Sequence, residues 1–341
     1  MTSTRDLRVD TATGEDDDLV PGANLLQRVL DRPVLRITLV LLAVVVLFTI
    51  LKPNQFASVP NVRNMSQDAA IALLLAVGAT FVINTAGIDL STGSVLVLTS
   101  VVGGKLMLEI GGDTPWVILA GLLACCVTGI ACGLFNGIIV AKLHAPALIV
   151  TLGSLGAAYG AALLLTKGID IREVPQSLVN TIGYGKFFGQ IPYLAAIAVV
   201  IAAVAWLVQA RTRFGRYGFM IGSNKEACRR TGINVDRHLI KIYALSGLFA
   251  ALAGFLSLAR FGTTTISGHQ NDILVAITAA VLGGTSLFGG RGSILGTFVG
   301  TLVPVVLQNG FVIVGVQPYW QQIAVGLILI AAVCADPARP K

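Results

Sequence analysis

Apolar residues fall in long blocks separated by short polar stretches. An α-helix rises 1.5 Å per residue, so about 20 apolar residues cross the hydrocarbon core of a bilayer. Ten blocks approach that length: 34–51, 67–86, 90–110, 116–141, 146–165, 192–210, 239–260, 272–288, 293–314 and 318–335. Two fit less well. Block 90–110 follows its neighbour almost without a loop, and 272–288 is short and glycine-rich. The pattern predicts an all-α, polytopic integral membrane protein with about ten transmembrane helices and one membrane domain, 34–335. The polar stretch 1–33, with acidic residues at Glu15–Asp18, reads as a disordered cytoplasmic tail, and 336–341 as a second tail. Lys52-Pro53 follows the first block where a signal sequence would end in small residues. The block is therefore read as an uncleaved span.

Composition agrees. Hydrophobic residues make up 55% of the 341-residue chain and charged residues 12%, about half the share of a soluble protein. The net charge of +7 sits in loops between spans, where it sets topology rather than recruiting nucleic acid. With the N-terminus inside, seven of the 24 Lys and Arg fall outside and the rest inside. That bias predicts both termini in the cytoplasm, with a cytoplasmic loop at 211–238. The five cysteines include no CxxC, and the three histidines lie far apart. Neither a disulfide framework nor a metal site is expected.

Many of the 38 glycines recur every fourth residue, as at Gly129, Gly133 and Gly137, at Gly156 and Gly160, and at Gly292, Gly296 and Gly300. Such rows let helix backbones approach closely in lipid, inside one bundle or across a dimer seam. The most polar stretch at membrane depth is FVINTAGIDLSTGS, 81–94. Asn84, Asp89, Ser91, Thr92 and Ser94 are its candidate lining for a polar translocation path. Asp89 also suits a helix start, where a carboxylate accepts free backbone N–H groups. A broken helix beside a cavity would satisfy both readings. No Walker motif, Ser-His-Asp order or HExxH occurs, and LGGTSLFGGR (282–291) reads as a tight turn. The chain is expected to be non-catalytic and to carry no cofactor.

The stretch 211–241 holds eight Lys and Arg. Within it, Ser223 and Glu226 have the spacing of a capping box, and Gly232 suits a left-handed C-terminal cap. They bound a two-turn helix, Asn224–Thr231, too short to stand alone and so in need of a partner surface. Lys225 and Arg229 share one face. Their charge either reads a partner's acidic rim or only holds the loop inside.

Six blocks taken together resemble the permease subunits of bacterial ABC importers of the ribose type: AGIDLSTGS (86–94), TLGSLG (151–156), RTRFGRYGFMIGSNKEACRRTGI (211–233), YALSGLFAALAG (243–254), LGGTSLFGGRGSILGT (282–297) and PYWQQIAVG (318–326). The resemblance covers 34–335 and implies the ABC importer permease fold. It also makes the short helix a coupling helix docked on an ATP-binding cassette subunit. Ser223, Lys225, Glu226, Ala227, Cys228, Arg229, Gly232 and Ile233 would form that contact, with Ala227 and Cys228 as its low-profile centre. ATP and Mg would belong to the partner. A second permease copy, identical or related, and an extracytoplasmic solute-binding protein complete the implied assembly, in contact with membrane lipid. One departure stands out. Relatives carry Tyr-Glu-Leu-Asp-Ala-Ile-Ala before the 283–286 turn, whereas this chain has Ile273 and Val275 in place of the two acids and Asp272 one position earlier.

The resemblance implies translocation of a small neutral monosaccharide or polyol by alternating access. A nucleoside or a signalling sugar is the nearest alternative cargo. A secondary carrier would need paired ionisable groups inside its spans, and none is evident.

Overall fold

A computed structural model describes residues 33–269 and 271–334. The predicted tails lie outside the described residues, apart from Pro33, which opens the first helix. The helices are α1 Pro33–Leu51, α2 Pro53–Phe56, α3 Val59–Asn84, α4 Thr92–Ile110, α5 Pro115–Lys142, α6 Ala147–Thr166, α7 Gln176–Leu178, α8 Tyr193–Arg211, α9 Arg213–Ser223, α10 Lys225–Arg230, α11 Val235–Phe261, α12 Asp272–Leu282, α13 Ile294–Val314 and α14 Pro318–Cys334. Eight of them, among the described residues, are long and apolar enough to cross a membrane. The other two expected spans are shorter. α12 has 11 residues, about 16 Å of helix against a core of about 30 Å. It does not cross alone. The apolar block ran on to 288 because Gly283 and Gly284, which follow the helix, form a turn without adding polarity.

Helices α3 and α11 form the centre. Of their apolar windows, 83% and 78% are buried, against 11% for α1. α1 therefore presents its side chains outward, as a lipid-facing helix would. Two glycine rows explain how backbones meet. A Cβ at Gly129 or Gly133 of α5 would collide with the carbonyl of Gly247 or Tyr243 on α11. A Cβ at Gly296 or Gly300 of α13 would strike Gly283 or Ala279 of the α12 segment. Both rows pack within the bundle. Gly156 and Gly160 of α6, with Gly153, meet nothing.

The connections gather into two polar ends. At one end, Arg63 Nη2 donates to Gly189 O (2.9 Å), Asp113 accepts from Ser177 N (3.0 Å), and Thr263 Oγ1 donates to Ile171 O (2.9 Å). The long link between α6 and α8 folds there into α7, a π-turn (Val179–Gly183) and a two-stranded hairpin pairing Lys186–Phe187 with Ile191–Pro192. At the other end lie α9, α10, the α5–α6 turn at His144, and the 283–293 turn. Gly290 N donates to Asn84 O (3.0 Å), so that turn is tied to the end of α3.

Candidate functional site

The short helix of the basic loop exists, one residue shorter at each end than expected. The loop also contains α9, which the sequence reading missed. α9 ends at Ser223, whose hydroxyl donates back to Phe219 O (3.0 Å). Ser223 is therefore not the N-cap of α10. Asn224 is, with its Oδ1 accepting from Ala227 N (2.9 Å) in extended backbone geometry. The capping box does not form. Glu226 instead faces Arg229 (3.3 Å). The C-terminal cap is as expected: Gly232 has φ 82°. Ile233 N donates to Cys228 O (3.0 Å) and Gly232 N to Arg229 O (3.1 Å), the paired bonds of a Schellman motif.

Cys228 is buried, packed with Ala141, Ile221, Val235 and Leu239, and Ile233 lies against the same cluster. This corrects the expectation that Cys228 faces a partner: it anchors the helix to its own protein. Lys225, Glu226, Ala227, Arg229 and Arg230 are exposed. Arg229 also reaches Asp236 in the first turn of α11 (3.2 Å) and His144 in the α5–α6 turn (3.4 Å). Beneath α10 lies a cavity of about 320 Å³, floored by Thr85, Ala86, Gly87 and Tyr243.

That floor is the helix break between α3 and α4. Residues 85–91 run without helix and are largely buried, so their polar groups need partners. Ala86 N and Gly87 N donate to Ile83 O and Val82 O, and Thr151 Oγ1 of α6 donates to Ile88 O (3.2 Å). Asp89 does not cap α4, which begins at Thr92 after Ser91. Its Oδ1 accepts from Ser91 N (3.0 Å) and Ser91 Oγ (2.6 Å), and its Oδ2 from Ser246 Oγ of α11 (3.0 Å). Asn136 of α5 donates to Ser91 Oγ (2.9 Å) and accepts from Ser154 of α6. One buried network thus fixes the break to α5, α6 and α11.

Of the five candidate path residues, the structure brings Asp89 and Ser91 together. Asn84 is buried separately near Gly222 and Gly292 at the end of α3, Thr92 is buried, and Ser94 is half-buried. Neither Asn84 Oδ1 nor Thr92 Oγ1 has a partner among the described residues.

A second polar cavity, of about 460 Å³, opens at the opposite end between α3, α11, α12 and α13. No local sequence pattern marks it, because its polar groups are scattered across five segments, Gln321 of α14 among them. Asp68 faces Arg260 (3.2 Å), and Arg260 also donates to Gln67. His269 Nδ1 meets Asp272 (2.6 Å), and its Nε2 meets Ser257 Oγ (2.8 Å). Asp272, the displaced acid, lines this cavity together with Val275, while Ile273 is buried away from it. The single available signal was that displaced Asp272.

The family described as branched-chain amino acid transport system / permease component matches residues 61–333. The fructose import permease protein of Rhizobium meliloti is 35% identical over 306 residues, covering 87% of this chain and 83% of the relative. The ribose import permease protein of Escherichia coli K12 is 36% identical over 300 residues, 87% and 91% of the two chains. The galactose/methyl galactoside import permease protein of the same organism is 33% identical over 317 residues, 89% and 93%. No solved structure matches. A polytopic helical chain matched by the family over nearly its whole membrane domain, with a capped helix on one polar end and a polar cavity at the other, belongs to the branched-chain amino acid transport system / permease component family, as a multi-pass permease related to sugar import permeases.

Proposed function

We propose that this chain is a membrane subunit of an ATP-driven importer for a small neutral monosaccharide or polyol, handed over by an extracytoplasmic binding protein. Two permease subunits would flank the path, and separate ATP-binding subunits would dock on α10. The end bearing α9 and α10 is the cytoplasmic one.

The observation that carries this reading is α10. It is capped at both ends, exposed along its outer side and locked to the body by Cys228 and Ile233. A helix of six residues is not stable by itself, so this one is held in place as a rigid handle. Force applied to it passes through Arg229 to α11 and to the α5–α6 turn. Rigid-body rocking of those helices alternates access between the two ends. The relatives' names, fructose, ribose and galactose import permeases, support a carbohydrate over the amino acid in the family description, as do the hydroxyl-matching groups of the outer cavity. A nucleoside remains the alternative cargo within the same machinery.

Glu226→Lys tests the assignment. The variant should insert normally in the membrane and lose both uptake and coupled ATP hydrolysis; normal uptake would sink the coupling role of α10. Uptake should also stop on ATP depletion with ion gradients clamped. Persistence would favour a secondary carrier.

A further inference from the structure

We propose that the outer cavity is a transit site that holds one neutral sugar ring between its release by the binding protein and its passage inward. The proposal rests on the importer reading above and adds a location, a set of contacts and a selection rule.

Size comes first. Ligand cavities run from about 300 to 1,000 Å³, and this one, about 460 Å³, lies at the small end, suited to a single ring rather than an oligosaccharide. Within the wall Asp68 is paired with Arg260, and Asp272 is hydrogen-bonded to His269 Nδ1 (2.6 Å). An anionic solute would have to compete with Asp68 for Arg260, beside a second carboxylate at Asp272. A neutral one need not. Each pair still leaves capacity for hydroxyls. A carboxylate offers about four acceptor sites, and Asp68 Oδ2 and Asp272 Oδ1 have no partner among the described residues. The Gln308 amide, which both donates and accepts, lines the same cavity and has no partner there either. Phe261, stacked beneath Arg260 (5.9 Å), and aliphatic side chains of α3, α12 and α13 supply apolar wall for the C–H faces of a sugar.

The contacts are pre-set. Arg260 is held by Gln67, whose amide donates to Gly183 O (2.8 Å). The floor leads inward. A Cβ on Gly93, in the first turn of α4, would sit 3.2 Å from the His269 carbonyl. The cavity therefore rests on the helix start whose other side is the Asp89 network. Contacts are few, as a transit site requires, because tight binding would prevent release.

The test uses the complete importer in proteoliposomes with D-ribose, D-fructose, D-galactose and D-allose as labelled probes, following the best-transported one. The binding protein sets apparent affinity, so the readout is sugar moved per ATP hydrolysed. Gln308→Leu, which breaks no internal bond, and Asp272→Asn, which retains an amide oxygen toward His269, should each lower that ratio about tenfold through loss of a hydrogen bond. ATP hydrolysis stimulated by the binding protein should be unchanged. An unchanged ratio in both variants, with uptake still abolished by Glu226→Lys, overturns the transit site and leaves the importer intact. Equal loss of hydrolysis and transport in both also overturns it, because that is the signature of a structural defect. Transport of none of the four sugars overturns the carbohydrate reading and this proposal together.

Discussion

Arg229 shows how much one side chain on the polar end can do. It touches Glu226 in its own helix, Asp236 at the start of α11 and His144, 85 positions away, and so joins α10 to two other segments. Each contact is solvent-exposed and contributes little to stability. Arg229→Ala should therefore leave the melting temperature within about 2 °C while reducing ATP-dependent uptake severely; equal losses in both would show a purely structural residue. Asn224→Ala should destabilise α10 by about 1 kcal/mol through loss of its cap, whereas Ser223→Ala should not, as read by amide hydrogen exchange in 225–230. The sequence could not separate these two neighbours. Both are good caps, and the choice turned on whether α9 used Ser223 first. α9 itself was hidden because RFGRYGFMIGS, with its three glycines, looks like loop. Cys228 misled for a related reason. A small residue beside Ala227 reads as contact surface until the cluster around Ile221 and Val235 is seen to bury it.

Helix contacts were more legible, because four-residue glycine spacing has one dominant cause. Which row meets which helix was not. Gly133→Leu should prevent assembly of the α5–α11 seam and leave no monodisperse protein on size-exclusion chromatography, while Gly153→Leu on the open face of α6 should behave as the parent chain. The polar stretch 81–94 announced a break, and a break is there. The division of labour inside it was not readable. Asp89 binds Ser246, 157 positions away, and no local spacing encodes that partner. α12 was overestimated because hydropathy does not register a glycine turn as an interruption.

For the whole molecule, the alternation of spans ordered the connections into two ends and charge bias chose the inner one; among the described residues the structure gathers the same connections at two ends. Phe188 is 98% exposed at one of them and Lys225 is exposed at the other. A cysteine at Phe188 should react with an impermeant maleimide in intact cells, and one at Lys225 only after the cytoplasmic side is opened. The reverse pattern would invert the orientation. The outer cavity belongs to this scale too, and for that reason it escaped the sequence. Asp68, Arg260, Asp272 and Gln308 are meaningless until the bundle brings them together.

α11 runs unbroken for 27 residues, about 40 Å, from the Asp236 contact with Arg229, past the Ser246 bond to Asp89, to Arg260 at the outer cavity. A rod pivoting about its middle by 10° would carry each end about 3.5 Å in opposite directions. Information along it is two-way by thermodynamic necessity. If a partner docks on α10 as proposed and an occupied outer cavity favours one tilt, occupancy must alter the grip of α10 on that partner by the same factor with which the partner alters the cavity's hold on its solute. Partner affinity titrated with and without sugar would reveal this reciprocity, and equal affinities would show that the two ends of α11 do not communicate.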